Sequence, residues 1–110
     1  AVNFRRVGGP LFSQLSADWT LYDAHIAHDP ARNRYIMVME CAHAPSGLGA
    51  SVCVSSSPTP TVASSWTTPT VLIRSSGLRS ASTAAVLADG QDLYLKWTVV
   101  DDGADGTRDE

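Results

Sequence analysis

Residues 19–41, WTLYDAHIAHDPARNRYIMVMEC, restrict the fold most, because they read as two β-strands joined by a tight polar turn. On the first strand Leu21, Tyr22, Ile26 and Ala27 flank Asp23 and His25. The strand stops at His28-Asp29-Pro30, where proline removes a ladder donor and fixes φ. The second strand, residues 35–40, is a run of large apolar residues ending in an acid. A turn centred near Ala31 and Arg32 sets an antiparallel register that puts Asp23 opposite Glu40 and His25 opposite Val38. Two acids at one end of an otherwise apolar hairpin are unfavourable as mere structure, since buried charge costs free energy unless paired. Chemistry is expected at that end.

With 110 residues, 44% apolar and 17% charged, the chain has room for one small globular domain. No apolar run approaches the ~20 residues needed to cross a bilayer, so no membrane partner is expected. A net charge of -3 and a single lysine, Lys96, exclude the clustered cations of a nucleic-acid surface. Ala1 is not an initiator methionine and no leader pattern follows it, so a processed product or a piece of a longer chain is expected. Residues 1–100 form the expected body, and the acidic stretch 101–110, DDGADGTRDE, a frayed tail or interrupted loop.

The remaining strands follow from composition. Residues 2–7 are a candidate strand closed by Gly8-Gly9-Pro10. Residues 50–55, ASVCVS, alternate β-branched and small polar side chains as a third strand, and Val71-Leu72-Ile73 supply a fourth. Between them the Ser-, Thr- and Pro-rich residues 56–65 read as a long surface loop. The pattern then restarts: residues 86–97, VLADGQDLYLKW, resemble residues 26–39 with one residue fewer in the turn, and Tyr94 lies 59 residues after Tyr35. The implied fold class is all-β, with antiparallel four-stranded blades in a partial β-propeller of about one and a half blades. A short alanine-rich helix over residues 80–88 is the competing assignment. A partial propeller leaves strand edges unpaired, so the remainder of a larger chain or self-association is expected.

At residues 19–40 the sequence resembles the opening blade of the five-bladed β-propeller glycoside hydrolases, the arabinanase, xylosidase and invertase-like group. Tyr22-Asp23-Ala24-His25-Ile26 matches the first strand, Asp29-Pro30-Ala31-Arg32-Asn33 the turn, and residues 35–40 the return. Residues 50–57 resemble the third strand, and Trp66 the tryptophan that precedes the fourth. The resemblance implies that Asp23 is the axial catalytic carboxylate, base or nucleophile, of O-glycosidic bond hydrolysis, and that carbohydrate is the partner. Three departures qualify it: Ala24 stands where many members have proline, Ser82 or Thr83 where many carry a further Asp, and the general acid has no counterpart. Two carboxyls are needed for the reaction. The chain alone is therefore expected to be inactive, and a non-catalytic carbohydrate-binding or assembly module of propeller type is the alternative.

Around Asp23, Trp19 and Tyr22 offer rings for sugar stacking, and His25, Glu40 and His43 complete the candidate substrate-binding set. Glu40 either raises the pKa of Asp23 by like-charge proximity or ends its strand in solvent, the latter favoured. His25 and His28 point to opposite strand faces, so no metal site and no cofactor is expected. A loop centred on Gly47 makes Cys41 and Cys53 cross-strand neighbours within disulfide reach. A bond there fits a secreted or periplasmic protein, whereas two buried free thiols fit a cytosolic one.

Overall fold

A computed structural model describes residue 12 and residues 18–43, 49–75, 79–102 and 108–109. The candidate strand at residues 2–7 and its Gly-Gly-Pro turn lie outside the described residues. Among the described residues, seven strands form two antiparallel sheets. The first holds β1 (Trp19–Asp29), β2 (Arg34–His43), β3 (Ser51–Ser57) and β4 (Thr70–Ile73) in that spatial order. The second holds β5 (Arg79–Asp89), β6 (Asp92–Asp102) and the two-residue β7 (Arg108–Asp109). Residues 101 and 102 therefore extend β6 and pair with β7.

Residues 80–88 are strand rather than helix despite their alanines. Propensity is a weak prior, and here pairing with β6 along the whole of β5 overrides it. The two hairpins repeat one plan. Asp29 pairs with Arg34 and Asp89 with Asp92 at the turn ends, and each first strand carries a register shift, between Tyr22 and His25 and between Ser82 and Ala85. The second turn is thus two residues shorter than the first, not one, which aligns Tyr94 with Ile36 rather than Tyr35 and Thr83 with Asp23. Gly90 accepts φ +61 in this two-residue turn, while the longer first turn is a 3-10 segment (Pro30–Arg32) closed by Asn33 at φ +50.

The central strands of the first sheet, β2 and β3, are buried on both faces. Ile36, Val38 and Val52 point to the second sheet and pack with Ala81 and Val86, flanked by Ala27, Val54, Ile73, Leu93 and Leu95. Met37, Met39, Cys41, Cys53 and Trp66 fill the opposite face, with Phe12, Trp19, Leu21, Tyr35 and Val71 beside them. The β1 bulge makes this division possible. Leu21 and Ala27 have the same parity, yet one extra residue between them sends their side chains to opposite faces.

Loops fix the two layers together. The Ala81 amide donates to the Ala50 carbonyl at 2.8 Å, and Gly49 lies so close to Ser80 that a Cβ at residue 49 would collide with the serine side chain. The Ser/Thr-rich loop is held by its own hydroxyls and by Trp66, whose Nε1 donates to the Pro60 carbonyl at 3.0 Å. At the turn end, the buried Asp29 carboxylate accepts from Arg32 at 3.2 Å and Arg34 at 3.1 Å. Arg32 also donates to the Gln91 carbonyl at 2.9 Å, joining the first turn to the second.

Candidate functional site

At the bulge Asp23 and Ala24 together oppose the single residue Met39, and Asp23 takes a left-handed backbone with φ +54. The expectation that Asp23 faces Glu40 is corrected. Glu40 pairs with Tyr22 instead, because the extra residue shifts the register by one, while His25 still opposes Val38. The Asp23 residue is exposed. Glu40 is not the end of its strand, since β2 continues to His43, and at 5% exposure it is buried rather than in solvent. A left-handed aspartate costs on the order of 1 kcal/mol, and such strain concentrates where a side chain must be aimed.

Both acids act on one phenol. Burial pushes the Tyr22 hydroxyl above its ordinary pKa, and the charges of Glu40 and then Asp23 push it further the same way. Tyr22 therefore stays protonated through the neutral range and keeps an O–H to donate. One turn of the pleat away, His25 Nδ1 accepts the Val86 amide at 3.2 Å, so its remaining hydrogen sits on Nε2. That contact ties β1 to β5 beside the bulge.

The candidate residues divide between the two faces of the first sheet. Tyr22, His25 and Glu40 lie on the face toward the second sheet. Trp19 and His43 pair across β1 and β2 on the opposite face, their ring centroids 4.8 Å apart at 40°. Trp19 and His43 line a small cavity of about 140 Å³ with Arg74 and Ser75. The five thus do not form one ring around Asp23. A larger apolar cleft of about 550 Å³ runs between the sheets, bounded by Ile36, Val54, Ile73, Leu93 and Leu95.

Cys41 and Cys53 are joined as a disulfide with Cα atoms 5.9 Å apart. They are diagonal rather than directly facing, because Cys41 pairs with Ser51 and Met39 with Cys53. Among the described residues no three His, Cys, Asp or Glu side chains converge as a metal-binding group, and no helix is long and apolar enough to cross a membrane.

Sequence reasoning did not find the Asp29, Arg32 and Arg34 network. An acid followed by two arginines three and five residues later across a turn was the available signal. No known protein family, curated protein or solved structure matches the chain.

Proposed function

We propose that these residues supply the acidic subsite of an O-glycosyl hydrolase of the five-bladed propeller kind. In this assignment β1 is the strand nearest the axis and the two sheets are successive blades. Asp23 acts as base toward water or as nucleophile toward the anomeric carbon. Tyr22 donates a hydrogen bond to a sugar hydroxyl, and the charge of Asp23 favours the positive charge that develops on the sugar ring. The proton donor comes from outside residues 1–110. The observation that carries the proposal is the exposed, left-handed Asp23 on a bulge, beside a phenol that feels two carboxylates.

Asparagine adopts the left-handed region about as readily as aspartate, so Asp23→Asn removes the charge and spares the backbone. In the natural protein that carries these residues, cleavage of aryl glycosides and oligosaccharides should fall by about a thousandfold or more while sugar binding persists. Unchanged cleavage would sink the assignment.

One observation favours the alternative, a carbohydrate-binding module without catalysis. Register places Thr83 at the position equivalent to Asp23, where the resembled family often carries a further acid. Saturable binding of an oligosaccharide with no turnover by the unaltered protein would select it.

A further inference from the structure

Among the described residues, β1 and β5 each lie at an edge of their sheets, and the hydrogen bond from the Val86 amide to His25 Nδ1, at 3.2 Å, joins the two edges. Val86 is buried against the first sheet and pairs with Leu95 on its own, yet its N–H reaches an imidazole of the other sheet. The Ala81–Ala50 and Arg32–Gln91 links between the layers use groups that keep one protonation state. His25 is a different kind of link.

An imidazole that accepts at Nδ1 carries its hydrogen on Nε2, and the lone pair that receives the amide is then the only one a further proton can occupy. Holding Val86 and holding a second proton exclude each other. We propose that His25 is a proton-operated latch between the two sheets: the neutral ring holds the Val86 amide, and the ring that has taken a proton from solvent releases it.

The surroundings of the ring give each charge state its own side. Glu40 lies on the same face of β2, diagonal to His25 across the β1–β2 ladder at roughly 7–8 Å, and Tyr22 and Asp23 precede His25 on β1. From the second sheet β5 brings Ala85, Val86 and Leu87, and β6 brings Tyr94, Leu95 and Lys96. Carboxylates therefore draw an imidazolium toward the first sheet while Lys96 repels it from the second, away from Val86. Asp23 stands two residues before His25, so release loosens the strand that aims it. That consequence rests on the reading of Asp23 as the catalytic carboxylate; the latch itself does not.

Nuclear magnetic resonance of the 110-residue chain over a pH series tests the proposal. The His25 ring nitrogens report tautomer and protonation, and hydrogen exchange at Val86, corrected for its intrinsic pH dependence, reports the bond. The neutral ring should be the Nε2–H tautomer, and Val86 protection should fall by about tenfold in step with ring protonation. His25→Asn should hold that protection constant across the series, since Asn Oδ1 stands about where Nδ1 does and does not titrate. His25→Phe should lose it at every pH, and as residue 25 is exposed neither variant opens a cavity. A neutral Nδ1–H tautomer, or Val86 protection that stays level while the ring protonates, overturns the latch. Absence of glycoside cleavage by the natural protein would count against Asp23 and not against the latch, which is read at Val86.

Discussion

The two hairpins share a bulge and a register, yet the return strand of the first, β2, is enclosed and that of the second, β6, is open. Met39 and Trp97 make the contrast sharp, because each stands opposite its bulge; Met39 is 1% exposed and Trp97 40%. Enclosure goes with a disulfide from β2 to β3 and a doubly bonded aspartate at the first turn, whereas the second turn closes on two aspartates and a glycine. Equivalent backbones do not imply equivalent roles; burial decides what each position must carry.

The largest difference should come from the bulge-facing pair. Met39→Ala should cost about 2–5 kcal/mol in chemical denaturation, since a fully buried side chain leaves a cavity, whereas Trp97→Ala should cost about 1–2 kcal/mol. Equal losses would mean that the hairpins are enclosed alike. Next, the Cys41→Ser, Cys53→Ser double variant should lose about 3 kcal/mol, the loop entropy of a bond with sequence separation 12. Hydrogen exchange should show the loss concentrated in β2 and β3.

Acid should then separate the two turns. Burial alone would raise the Asp29 pKa, but hydrogen bonds from Arg34 and Arg32, with their charges, outweigh it and hold the carboxyl below its ordinary value. The folded value is below the unfolded one, so the stabilisation is complete above about pH 4 and disappears as pH falls through the folded value. Arg34→Gln should flatten that acid limb in pH-dependent melting. The smallest effects lie at the turn residues themselves. A Cβ at Gly90 meets no atom within 4 Å, so Gly90→Ala should cost only the backbone penalty of positive φ, about 1 kcal/mol, whereas Asn33→Gly should change stability by a few tenths.

Strand identity was legible in the sequence where side-chain period and turn chemistry agreed, as at His28-Asp29-Pro30 and Asp89-Gly90. The all-β class, the antiparallel pairing within residues 19–41 and the placement of His25 opposite Val38 followed from those signals. The bulge was not legible. Nothing local marks Asp23 as left-handed, because the cause is distant: Leu21 and Ala27 must serve different cores. The same hidden residue changed the partner of Glu40 by one position, and the continuation of β2 to His43 reversed its environment from solvent to interior. In the second turn the restart at residues 86–97 was visible, but its length was misjudged by one, enough to exchange the faces assigned to Tyr94.

Position 23 also limits what a descendant of this chain could write there. A backbone held at φ +54 admits glycine freely and asparagine or aspartate at about 1 kcal/mol, and other letters only at a greater loss. Drift within that three-letter alphabet would leave the scaffold intact while switching the negative charge on or off. The residue found at this one site in any future homologue would therefore say whether it kept the charge or only its frame.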